Sequence, residues 1–153
     1  MLTYLHLAQN RPQFHLSGLV LNYGVFDLTF LPQVHHFKKR DTLILDKELM
    51  EQFVESFCPG MSFEKLRDPW VSPFYHDLAG LELPPAMFTC GTEDCLLDDT
   101  VMMSAKWQTA GGKAVVKIYP GAPHAYTLFP YDKCPEAKQG LEANCSFVRE
   151  MTR

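Results

Sequence analysis

Two stretches of this chain hold residue types suited to acid–base chemistry: Gly91-Thr92-Glu93-Asp94-Cys95-Leu96-Leu97-Asp98-Asp99 and Tyr119-Pro120-Gly121-Ala122-Pro123-His124-Ala125-Tyr126. Each follows an apolar run that reads as a strand, so a carboxylate, Asp94, stands at the end of one strand and an imidazole, His124, stands just past the next. In a nucleophile–base–acid triad the carboxylate fixes the imidazole tautomer and stabilises the imidazolium, while the imidazole takes the nucleophile's proton and returns it to the leaving group. Asp94 and His124 are therefore the candidate catalytic residues. A serine on a strand-to-helix elbow is expected in a Gly-x-Ser-x-Gly frame, and none of Ser17, Ser56, Ser62, Ser72, Ser104 and Ser146 has one.

The elements that must position this pair follow from the hydropathy pattern. Leu16 to Tyr23, closed by Gly24, is a continuous apolar run, as expected of a strand covered on both faces. Pro85 to Cys90 and Ala114 to Tyr119 read as two further strands. Between these last two, Asp98 or Asp99 is placed to cap a helix bearing Val101, Met102, Ala105 and Thr109, which Gly111-Gly112 ends. Residues 1 to 9 read as the tail of a buried helix ending before Pro12. Thr29 to Leu45 reads as an irregular connection. A helix follows, with Leu49, Met50, Phe53, Val54 and Phe57 at helical spacing, Asp46 as its cap and Leu45 stapled against Met50. Pro59-Gly60 stops it. Asp68 to Phe74 reads as extended, because each proline biases its predecessor away from helix. A closing helix starts near Pro135 with Ala137, Leu141, Cys145 and Val148 in one stripe.

This alternation predicts an α/β fold: three parallel strands joined by right-handed crossover helices. Asp94 and His124 then fall at the C-terminal edge of neighbouring strands, where open sheets place their binding sites. Adjacent strands lie only about 5 Å apart, close enough for the two side chains to meet.

Composition removes several other classes. A hydrophobic content of 46% with 21% charged residues is that of a globular chain rather than a disordered one. The net charge of -4 offers no footprint for nucleic acid, and the one basic run, Lys38-Lys39-Arg40, reads as a solvated loop. No apolar stretch reaches the roughly 18 residues of a membrane span. The five cysteines show no Cys-x-x-Cys pair, and His35, His36, Cys90 and Cys95 lack ligand spacing, so neither a metal nor a cofactor is expected. Gly111-Gly112-Lys113 follows a helix rather than opening one and is a helix stop, not a phosphate loop. An odd set of unpaired thiols fits a reducing compartment, hence a cytoplasmic location. The N-terminal segment has neither the basic region nor the cleavage site of a secretory signal.

As a set, Ser72-Pro73, Leu83-Pro84-Pro85-Ala86, Gly91 with Asp94-x-Leu96-x-Asp98, Ala110-Gly111, and Tyr119-Pro120-Gly121 with His124 resemble the hormone-sensitive lipase branch of the α/β-hydrolases, which includes arylacetamide deacetylase-like esterases. The resemblance covers about residues 1 to 130. It implies that Asp94 is the triad acid and His124 its base, while Asp98 is assigned to capping the next helix. The family's Gly-Asp-Ser-Ala-Gly-Gly elbow and His-Gly-Gly-Gly oxyanion loop would lie upstream of Met1, since Leu2 to Ala8 resembles the helix after the elbow. The expectation is that residues 1–153 form the C-terminal portion of one hydrolase domain, with residues 25–75 a cap-like or connecting insertion. His35-His36, Met50 and Phe53 then fall where related enzymes place cap or acyl-pocket residues. The implied activity is hydrolysis of short-acyl or aryl esters, with a small ester as partner once an upstream half is supplied, and none by this chain alone. The first strand, lacking a neighbour, offers an edge for self-association. The alternative is a non-catalytic ligand-binding or interaction protein derived from the same fold.

Overall fold

Leu19–Asn22 (β1), Ala86–Glu93 (β2) and Ala114–Pro123 (β3) form a parallel sheet in the spatial order β1-β2-β3. The computed structural model describes residues 1–11, 13–37 and 43–153. Pro12 and the basic run Lys38-Lys39-Arg40 lie outside the described residues.

The expected α/β architecture is present. Helix α1 (Leu2–Asn10) and helix α5 (Leu97–Thr109) pack on one face of the sheet. There Tyr4 and Leu5 meet Ala86 and Phe88 of β2 and Met103 and Trp107 of α5 in the main apolar cluster. Polar ends in this cluster are satisfied: the Trp107 indole donates to the Pro84 carbonyl at 3.1 Å, and the Tyr4 hydroxyl to the Glu82 carbonyl at 2.7 Å. On the other face, Met87 and Phe147 of helix α6 (Pro135–Met151) are buried, and Thr89 accepts a hydrogen bond from the Tyr126 hydroxyl.

Between β1 and β2 run three short helices, α2 (Pro32–His36), α3 (Lys47–Phe57) and α4 (Phe63–Leu66), then a 3₁₀ turn at Pro73–Tyr75. Helix α3 begins as expected. Asp46 caps it by accepting from the Leu49 amide at 2.9 Å, and Leu45 and Met50 are buried in one small cluster with Val34, Cys95 and Leu96.

Four expectations are corrected. The connection expected to be irregular contains α2, because Pro32 sits at its first turn and the Asp98 carboxylate reaches in to accept from the Gln33 amide at 2.7 Å. Asp68 to Phe74 is folded back rather than extended: the Asp68 carbonyl accepts from both Val71 and Ser72, and its carboxylate takes the Trp70 amide, so Pro69 occupies the second position of a turn. The first strand is shorter than expected and half-buried throughout, since it is the edge of the sheet and is paired only with β2 among the described residues. The faces of two helices differ from their apolar stripes. Helix α5 buries Asp99, Thr100, Met103, Ser104 and Trp107 while Val101 and Met102 are exposed. Helix α6 buries Ala137, Gly140 and Phe147 while Cys145 and Val148 are exposed. In α6 small residues face the sheet because Tyr126 approaches so closely that a Cβ on Gly140 would lie 2.6 Å from its ring.

Candidate active site

The register of β2 with β3 builds the site. Pairing runs residue for residue from Ala86 opposite Ala114 to Gly91 opposite Tyr119, and then breaks: the next pair is Glu93 opposite Pro123. Residues 120–122 of β3 thus face Thr92 alone, a bulge that lengthens β3 relative to its partner. Gly121 supplies the turn with φ +76 and donates its N–H to Thr92 Oγ1 at 2.8 Å. Gly91 is required for a different reason, because a Cβ there would be driven into the Ala122 carbonyl. Beyond the bulge, the first residue of β2's loop is Asp94 and the first after β3 is His124.

These two residues meet. His124 Nδ1 lies 2.9 Å from Asp94 Oδ2. An ionised carboxylate only accepts hydrogen bonds, so Nδ1 is the donor and the lone pair of the neutral ring is on Nε2. The Asp94 side chain is fully buried and that of His124 is 20% exposed, a sealed carboxylate behind an imidazole that solvent can reach. The other carboxylate oxygen, Oδ1, accepts from the Leu96 amide at 2.9 Å, which closes the turn into α5. Two buried thiols flank the acid. Burial, reinforced by the Asp94 charge, pushes the Cys90 thiol well up and the Cys95 thiol up to about 12, so both remain protonated at neutral pH.

Asp98 does not cap α5, which has no side-chain cap. Its Oδ2 caps α2 instead, and its Oδ1 accepts from the Asp99 amide at 3.0 Å. Asp99, fully buried, accepts through Oδ1 from the amides of Phe26 at 2.6 Å and Asp27 at 3.0 Å, and its Oδ2 has no hydrogen-bond partner among the described residues. Burial raises its carboxyl to about 7, opposed by those two amides. Asp27 in turn accepts from the Thr29 amide and hydroxyl and from the Tyr75 hydroxyl. Asp98 and Asp99 thus tie the β1–β2 insertion to the first turn of α5, just beyond Asp94, while Asp27 braces the insertion internally. Ser72 serves the same segment, accepting from the Leu28 amide and donating to the Leu66 carbonyl.

An apolar groove of about 460 Å³ lies between α1 and α3, lined by residues that include Met1, Val25, Leu28, Met50, Phe53 and Phe57. Neither Asp94 nor His124 lines it. His35 packs edge-on against Phe30. Among the described residues no group of three or more His, Cys, Asp or Glu is arranged to hold a metal ion, and no helix is long and apolar enough to cross a membrane.

The model of the family described as alpha/beta hydrolase fold matches residues 1–128, a span containing every strand and both members of the pair. The chain belongs to the alpha/beta hydrolase fold family. Within that family it is similar to an esterase of Acinetobacter venetianus, 29% identical over 148 residues, which cover 94% of this chain and 46% of the relative. Among solved structures it is similar in fold to a hormone-sensitive lipase from a metagenome library, with a TM-score of 0.85, 23% identity, and coverage of 99% of this chain and 49% of the other. The hyperthermophilic esterase from the archaeon Pyrobaculum calidifontis is similar in fold as well, with a TM-score of 0.83 at 23% identity, covering 99% and 48%. This alpha/beta hydrolase chain thus spans about half the length of each of these three proteins.

Sequence reasoning missed the roles of Asp27 and Asp99 and the contact of Tyr23 with His124. Tyr23 was legible as the end of the first strand, at the same sheet edge as the pair. The long-range partners of Asp27 and Asp99 had no local signal, because Asp99 bonds amides far away in sequence and Asp27 reaches Tyr75.

Proposed function

We propose that Asp94 and His124 are the orienting acid and the general base of a serine ester hydrolase acting on short-acyl or aryl esters. The nucleophile and the oxyanion donors come, in this reading, from sequence outside residues 1–153. The observation that carries it is the 2.9 Å bond between a sealed carboxylate and a partly exposed imidazole at the C-terminal ends of adjacent parallel strands. With Nδ1 held by Asp94, Nε2 is free to take a hydroxyl proton and to return it to the leaving alcohol. The esterase relatives support the ester chemistry.

On this reading residues 1–153 are the C-terminal portion of one hydrolase domain, and residues 25–75 are a cap-like or connecting insertion. The outer edge of β1, unpaired among the described residues, is where an upstream strand would add, or where copies of the isolated chain associate. The five free thiols, four of them buried, support a reducing, cytoplasmic setting.

The test is to join the chain to the upstream half of a related esterase and measure hydrolysis of p-nitrophenyl acetate and butyrate with fluorophosphonate labelling. Turnover that disappears with His124→Ala is expected. Turnover and labelling unaffected by that change would refute the assignment. One observation favours a second reading, a ligand-binding protein on this fold: the apolar groove stands apart from the Asp94–His124 pair. Saturable ester binding to residues 1–153, unchanged by His124→Ala and lost with Phe53→Asp, is its expected signature.

A further inference from the structure

We propose that Tyr23 is a positioning residue for His124, holding the imidazole in the rotamer that reaches Asp94. Among the described residues the His124 side chain makes one hydrogen bond, through Nδ1 to Asp94. A single bond anchors one ring atom and leaves the plane free to pivot about it, so the direction of Nε2 depends on what packs against the ring. Tyr23 packs there, its ring edge-on to the imidazole with centroids 5.0 Å apart and planes at 67°.

Tyr23 is itself fixed from three sides. Its amide donates to the Thr89 carbonyl at 2.6 Å, its hydroxyl is paired with Thr127 Oγ1 at 2.8 Å, and its ring meets Tyr126 edge-on at 5.8 Å. Tyr126 is fully buried and also packs, tilted, against Tyr119, so the support behind Tyr23 is a packed aromatic cluster rather than one contact. The backbone bears the cost. Tyr23 has φ +39, a conformation that an aromatic residue seldom adopts, and Ala125, next to the base, has φ +57. The two segments that bring tyrosine and histidine together are thus both held in the left-handed region at the point of contact. The hydroxyl bond to Thr127 links β1 to the turn just after His124, so the same side chain ties down the base and the segment that carries it.

The value of this arrangement to catalysis rests on the proposed role of His124 as base, but the test separates the two ideas. In residues 1–153 labelled with ¹⁵N-histidine, at a concentration where scattering reports a monomer, the Nδ1 proton bound to buried Asp94 should give a protected low-field resonance that is absent from His124→Ala. Tyr23→Phe keeps the ring and should retain the resonance. Tyr23→Leu removes the ring and should lose it to exchange with water, while the Trp107 indole proton in the core remains protected. Should Tyr23→Leu fail to fold, Tyr23→Met fills a similar volume with a flexible chain and is expected to give the same loss. A resonance as protected in a folded Leu or Met variant as in the parent overturns the proposal. In a reconstituted esterase the Leu variant should lose about a hundredfold in kcat with KM nearly unchanged, and the Phe variant should recover most of it. Loss of the resonance together with no esterase activity in any variant would leave Tyr23's role standing and remove the hydrolase reading.

Discussion

Asp94 and Asp99 stand at the two ends of one short run, both sealed from solvent, yet they face opposite surroundings. One oxygen of each serves backbone amides: Leu96 for Asp94, and Phe26 with Asp27 for Asp99. The other oxygen separates them. Asp94 Oδ2 meets an imidazole that can become a cation, whereas Asp99 Oδ2 meets no partner among the described residues. A buried carboxylate with a titratable partner at a strand end is placed to support a proton transfer. A buried carboxylate that serves only amides supports architecture, here the attachment of the insertion. Burial alone does not separate the candidate acid from the staple; the surroundings of the second oxygen do.

The largest effect expected from breaking this comparison is on turnover. In a reconstituted esterase, Asp94→Asn should cost up to about 10⁴-fold in kcat, since the amide favours the wrong imidazole tautomer. Steady-state kinetics that found Asp99→Asn the more damaging to kcat, in a folded protein, would exchange the two roles.

Next in size is the strand geometry that brings the pair together. Gly91→Ala forces a methyl into the Ala122 carbonyl and should destabilise the fold by at least the ~1–3 kcal/mol typical of overpacking, read as a lower midpoint in thermal or urea unfolding.

The staple itself should show as a pH dependence. The Asp99 carboxyl is raised to about 7 in the folded chain, above its ordinary value of about 4, so the folded state holds the proton more tightly than the unfolded one. Its contribution to stability is greatest below pH 4 and is lost as pH rises towards 7. Asp99→Asn removes that slope: its urea midpoint should vary less than the parent's between pH 5 and 8, with the variant relatively favoured at pH 8. Equal slopes would show that Asp99 ionises without cost.

Smallest of all is Asp98→Asn. An asparagine oxygen still accepts from the Gln33 amide, so the cap of α2 survives and only the bond from the Asp99 amide is given up, and the change should stay within about 1 kcal/mol by urea unfolding.

How much of this could be read without the structure depended on how local the determinant was. The three strands, their parallel order and the meeting of Asp94 with His124 were legible, because continuous apolar runs and the residues just beyond them lie within a few positions of each other. The Asp46 cap of α3 was legible for the same reason. The polar inner face of α5 was not: the partners of Asp99 lie in a segment that no short window contains, and a stripe judged by hydrophobicity selects Val101 and Met102 rather than the buried Asp99, Thr100 and Ser104. Helix α2 escaped because its cap comes from Asp98, far along the chain. The turn at Asp68 escaped because proline favours the second position of a turn as readily as an extended segment, and the hydrogen bonds of Asp68 decide between them.

The bulge in β3 carries one further implication, which concerns insertions and deletions rather than substitutions. The bulge sets how many residues separate the last regular pair from His124, so adding or removing one codon between Tyr119 and Pro123 would displace His124 relative to Asp94 while leaving the identity of every other residue unchanged. Within that interval the place of the imidazole is specified by a count of residues as much as by their kinds. Pro120 and Ala122 are open to exchange for residues of similar size, Gly121 is restricted by its φ of +76, and the number of residues between the last regular pair and the histidine is not free to vary.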